Sequence, residues 1–160
     1  MVLTESCIRP TIRVQKKTGT GYVEPQRLAE LTIPENLKFT IAEGVDQPQL
    51  FLLEMSEEKD IIVFSTQTKL DTLSKSKLWM ADGTFGTVPN LFYQLYTIHG
   101  VPPLMDKTVP LAFALMTKKD TASYEMLFHM LISRMTGTPA VRTVTAVLLL
   151  PLPAITVAKA

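Results

Sequence analysis

From residue 77 to residue 135 three extended runs rich in aromatic and β-branched side chains follow one another, then the apolar spacing changes to that of a helix. Few folds accommodate that order. Residues 77–88 read as a first strand, Pro89-Asn90 as a tight turn, and residues 91–100 as a second strand, so a hairpin is expected. After a Pro-containing loop at 101–107, a third strand is expected over 108–117, with Val109, Leu111, Phe113 and Leu115 on one face and small residues opposite. Asp120 or Thr121 then caps a helix whose Tyr124, Leu127, Phe128, Leu131, Ile132 and Met135 form one buried stripe. Arg134 falls in its last turn and Gly137 is placed to end it. Three antiparallel strands followed by a helix open a mixed α/β (α+β) sheet.

Upstream the signals are sparser. Strands are expected at 49–55 and 60–64, separated by the charged turn 56–59, and Ile61, Ile62, Val63 and Phe64 make the continuous apolar run of a buried strand. Ser65 or Thr66 is placed to cap a short helix reaching about Leu73, with Leu70 and Leu73 on one face. Residues 13–21 form a basic arm with little periodicity; Gly19-Thr20-Gly21 lacks a phosphate loop's spacing to a second glycine and the lysine and hydroxyl residue that should follow it, and Arg13, Lys16 and Lys17 read as solvated.

Composition removes several classes of function. Lys plus Arg (16) against Asp plus Glu (15) leaves a net charge of +1, so nucleic acid would have to meet a local patch rather than an overall field. One cysteine, Cys7, cannot form an internal disulfide, and with two histidines it cannot build a structural zinc finger. The N-terminal ten residues do not read as a secretory signal, and the apolar run 144–157, broken by Pro151 and Pro153, falls short of the roughly 20 residues a membrane span needs.

Trp79-Met80-Ala81-Asp82-Gly83-Thr84-Phe85, then Leu91-Phe92-Tyr93-Gln94-Leu95-Tyr96-Thr97-Ile98-His99-Gly100, then Val109-Pro110-Leu111, then Tyr124 with Leu127-Phe128, resembles the transposase domain of Mutator-like elements, in that family's order. The resemblance covers residues 61–135, about half the chain. It implies a ribonuclease H-like fold: three antiparallel strands, a helix, then further strands and helices. On that basis 1–48 is an N-terminal arm and pre-domain region, 49–137 a partial transposase domain, and 138–160 a divergent apolar tail. The fold is expected to be a truncated one with its remainder incomplete.

The chemistry such domains perform is phosphoryl transfer on DNA, with two Mg²⁺ or Mn²⁺ ions held by acids that converge from several elements. Asp82 matches the family's first catalytic acid and would be a metal ligand, and DNA in a nucleus is the implied partner. The family's second acid lies just past the strand after the helix and the third well beyond it, yet residues 139–160 contain no Asp or Glu. Asp106, Asp120 and Glu125 read as a loop residue, a helix cap and a first-turn residue. His99, His129 and Cys7 lack catalytic partners, and Phe92, Tyr93 and Tyr96 read as core rather than as a base-stacking platform. The expectation is therefore a transposase fragment inactive alone and not binding metal tightly. The alternatives are a non-enzymatic interaction module that pairs through an exposed sheet edge, as a homo- or hetero-oligomer, and a nuclease completed by another chain's acids.

Overall fold

The computed structural model describes residues 25–41, 47–86, 88–103 and 105–146. Its strands are β1 (Leu52–Met55), β2 (Ile61–Phe64), β3 (Leu78–Thr84), β4 (Gln94–Gly100), β5 (Val109–Met116) and β6 (Thr143–Ala146); its α-helices are α1 (Gln67–Lys75) and α2 (Thr121–Ser133). The strands form one six-stranded mixed sheet in the order β1-β2-β5-β4-β3-β6. Neighbours are antiparallel except β3 and β6, which run parallel. The basic residues Arg13, Lys16 and Lys17, and Cys7, lie outside the described residues.

Local chemistry explains how the chain enters these elements. The β1–β2 turn is closed by Ser56, whose hydroxyl donates to Asp60 Oδ1 at 2.6 Å and accepts from the Ile61 amide at 3.0 Å. Lys59, at φ 59°, sends its ammonium back to the Leu31 carbonyl at 2.8 Å, tying the preceding segment to the hairpin. Thr66 caps α1 by accepting from the Lys69 amide, which satisfies one of the helix's orphan donors. Leu70 and Leu73 are then fully buried, and the Trp79 indole donates to the Leu73 carbonyl at 2.9 Å, so the end of α1 is fixed to the start of β3.

The hairpin of β3 and β4 is shorter than the expected strands at 77–88 and 91–100. Pairing stops at Thr84 opposite Leu95, and a nine-residue connection replaces the tight turn at Pro89-Asn90. The aromatic residues at 92 and 93 that looked like strand are used otherwise. Phe92 is buried while its amide bonds the Pro89 carbonyl, and Tyr93 is exposed while its amide bonds the Met116 carbonyl.

The expected faces of β5 also differ from those observed. Ile98 pairs with Ala112 and His99 with Pro110, so Leu111 is an extra residue in a bulge, and a bulge breaks the alternation of side chains. Leu111 consequently joins Ala112, Ala114 and Met116 in the core, while Phe113 and Leu115 take the opposite, half-buried face. Pro110 is tolerated in this central strand because β2 pairs only as far as Phe113, leaving Pro110 without a ladder partner on that side.

α2 begins as expected, at Asp120, whose carboxylate accepts the Ser123 amide at 2.9 Å. Tyr124, Leu127, Phe128, Leu131 and Met135 are buried, and Gly137 adopts φ 85° three residues after Arg134 caps the helix. The chain then returns along α1, the Ala140 amide bonding the Ser74 carbonyl at 2.7 Å, and enters the sheet as β6. Residues 143–146 thus supply a fourth strand to the β3–β5 group, beside β3. The sheet accordingly runs past residue 137 at one end of the chain, and Phe39 bridges Leu50 across the boundary at 48 at the other. Among the described residues its edges are β1 and β6.

One core unites the helices with a single sheet face. Leu70, Leu73, Leu127 and Leu131 pack with Ile61, Val63, Trp79, Ala81, Tyr96, Ile98, Ala112 and Ala114, the alternate residues of four adjacent strands. Alanines at 112 and 114 leave room for helices to approach the central strand. On the opposite face Ile62 is buried as well, and Lys69 of α1 places its ammonium 5.8 Å from the Phe51 and Phe113 ring centroids.

Candidate functional site

β3 presents its two faces in strict alternation: Trp79, Ala81 and Gly83 are buried on the helix side, whereas Leu78, Met80 and Asp82 are half-buried on the other. Asp82 therefore stands on that other face near the end of β3, directly opposite Thr97 of β4. His99, opposite Met80, shares that face, as do Leu95, Phe113 and Leu115. On the β6 side, the ladder pairs Leu78 with Thr143 and ends with Ala81 beside Ala146, one residue short of Asp82.

The residues around Asp82 in the motif have packing roles. A Cβ on Gly83 would lie 2.9 Å from Gln94 Oε1 and 3.7 Å from the Tyr96 ring, so glycine is what lets the Gln94 amide lie against β3. Gln94, itself buried, donates from Nε2 to Tyr124 Oη at 3.0 Å and to the Lys118 carbonyl at 3.1 Å, and Tyr124 Oη donates back to Oε1 at 3.3 Å. The Tyr96 and Tyr124 rings meet at 5.0 Å. Burial, with Tyr124 and Asp82 nearby, pushes the Tyr96 phenol far above its ordinary value, so it stays neutral and acts as a packed ring. Gly83, Gln94, Tyr96 and Tyr124 thus form one buried polar knot joining β3, β4 and α2.

The acids are dispersed. Asp120 caps α2, Glu125 is exposed on α2, Asp106 is exposed in the β4–β5 connection, and Glu54 pairs with Arg134 at 2.8 Å. Among the described residues no group of three His, Cys, Asp or Glu side chains is placed to hold a metal ion. A hard divalent cation takes most of its ligands from several carboxylate or carbonyl oxygens. Asp82, whose polar company on its face among the described residues is Thr97, His99 and the β6 threonines, does not fit that demand.

Two aromatic residues expected in the core, Phe92 and Tyr96, are there, but Tyr93 is 45% exposed. It meets Phe85, 43% exposed, edge to face at 5.4 Å, and the Lys119 ammonium lies 5.3 Å from its ring centroid. The cluster was hidden in the sequence because residues 77–88 and 91–100 read as strands joined by a tight turn, and rings in strands pack inward. The Pro89 and Gly86 breaks were the available signal. His129 is exposed on α2. Among the described residues no helix is long and apolar enough to cross a membrane.

Comparison with protein-family models, with curated proteins and with solved structures returns no match to this chain.

Proposed function

We propose that the chain is a remnant of a Mutator-like DNA transposase catalytic domain, of ribonuclease H-like lineage, that keeps the first acid at Asp82 and has no catalytic activity of its own. The ordered blocks from Trp79 to Phe128 support the lineage. So does the arrangement of three antiparallel strands, a helix, and a strand parallel to the first. The observation that carries the loss of activity is at the end of β6. There the described chain reaches Ala146, beside Ala81 and one residue short of Asp82, and the sequence from residue 139 to 160 offers no Asp or Glu to share a metal with it. A single acid cannot bracket the attacking and leaving oxygens of a phosphoryl transfer.

The test is titration of the full chain with Mg²⁺ and Mn²⁺, heat of binding being read beside cleavage of labelled DNA, with Asp82→Asn as control. No saturable heat and no cleavage are expected in either protein. Metal-dependent cleavage that vanishes in Asp82→Asn would overturn the reading and point to acids supplied by a second chain.

A non-enzymatic interaction module is the second reading, and the sheet face that carries Asp82 favours it. Met80, Leu95, Phe113 and Leu115 are only half-buried there, in a sheet whose other face is fully packed. Self-association without metal would separate it from a solitary remnant.

A further inference from the structure

The end of the sheet where β3 stops and β4 begins carries a cluster unrelated to the packing of the core. Phe85 leaves β3, Tyr93 precedes β4, and Lys118 and Lys119 follow β5, so adjacent strands bring these residues together. The rings are about half exposed and in edge-to-face contact, and Lys119 lies over Tyr93. Their positions are held by the backbone: the Tyr93 amide bonds the Met116 carbonyl at 2.8 Å, and the Lys118 carbonyl accepts from buried Gln94 at 3.1 Å. Paired exposed rings beside cations, on a rigid support, are what stacking of nucleobases and pairing of phosphates require.

The charges at this end favour one path for such a ligand. Asp60 backs onto Thr117, and Glu57 and Glu58 are exposed on the β1–β2 turn, so the β2 side repels phosphate. Asp120 is committed to the Ser123 amide, and Glu125 lies further along α2. From residue 83 to 119 the sole acid is Asp106, in the connection at the opposite end of the β4–β5 hairpin. Among the described residues, the acids that flank this stretch in sequence are then Asp82 and Asp120.

We infer that Phe85, Tyr93, Lys118 and Lys119 form a contact site for single-stranded nucleic acid, with bases on the rings and phosphates on the lysines. This goes beyond the transposase reading, which concerns Asp82 and metal, and it stands or falls separately. The site acts without a divalent ion and selects by base stacking rather than by sequence.

The experiment is fluorescence anisotropy of dye-labelled oligothymidylate with the full chain in EDTA, over a range of salt. Binding is expected to weaken about fivefold or more in Tyr93→Ala and in Phe85→Ala, from loss of one stacked base. Tyr93→Phe should bind like the unmodified chain, because stacking does not use the hydroxyl. The combined variant Lys118→Gln with Lys119→Gln should lower the salt slope by about 1.4, the value for two phosphate contacts on a single strand. Circular dichroism identifies any variant that fails to fold, and Tyr93→Phe and the lysine variant then carry the test. No binding by the unmodified chain overturns the inference, as does undiminished binding by the alanine variants. Equal competition by polyglutamate overturns it too, since a peptide polyanion has no bases; each of these leaves the metal titration at Asp82 unaffected.

Discussion

The two faces of the sheet are made from the same strands, yet they are finished differently. On the helix face, Trp79, Ala81, Ile98 and Ala114 are almost wholly buried beneath α1 and α2. On the other, Met80, Asp82, Thr97 and Leu115 remain half-exposed. The pleat divides the motif between them residue by residue. Gly83 and Tyr96 belong to the packed face and are explained by it, whereas Asp82 is half-buried on the other. A resemblance that spans both faces therefore mixes two kinds of information, one about folding and one about chemistry.

The largest test of this contrast is Trp79→Ala. It removes a ring stacked 6.3 Å from Phe128, together with the indole bond to Leu73, and should destabilise the chain by about 3–5 kcal/mol in urea denaturation. A loss no greater than that of Leu115→Ala on the half-exposed face would break the comparison. Gly83→Ala comes next. Its methyl would sit 2.9 Å from the Gln94 amide oxygen, and displacing a buried hydrogen-bonded amide should remove about 1–3 kcal/mol. Adding Gln94→Ala to Gly83→Ala should relieve the clash, so that the two losses are less than additive, as a double-mutant cycle would show.

The smallest effect is on pH dependence. The Ser123 side-chain and backbone bonds hold the Asp120 carboxyl below its ordinary range, and Gln67 and Thr136 do the same for Asp71. Each group is lowered in the folded state, so its contribution is present above the unfolded carboxylate pKa, near 3.8, and is lost as pH falls through the folded value. The melting temperature should fall on acidification below about pH 4. Asp120→Asn keeps a good capping side chain but removes its titration, and should flatten that fall. An unchanged acid profile would mean that the α2 cap plays no part in holding the packed face.

How much of this could be read from the chain depended on the range of the interactions involved. The capping of α1 by Thr66 and of α2 by Asp120, and the buried stripe from Tyr124 to Met135, are local and were legible. The bulge at Leu111 was not, because it arises from pairing with Ile98 and His99, and it reverses the expected faces of β5. Nor did the sequence reveal that β2 would pair with β5, since pairing partners are chosen by the whole sheet. At the candidate site Asp82 could be singled out by its motif. Its surroundings, and the exposure of Tyr93 beside Phe85 and Lys119, depended on where the hairpin of β3 and β4 stopped pairing.

The contact of Gly83 with Gln94 also bears on how such sequences age. A chain retained only because it folds must still keep the glycine, the glutamine and the tyrosines that interlock with them, while the aspartate beside them is released from constraint. Under the proposed lineage, a copy that had lost the reaction would still display most of the signature, so the motif would record the ancestry of the scaffold and give no date for the loss of the reaction.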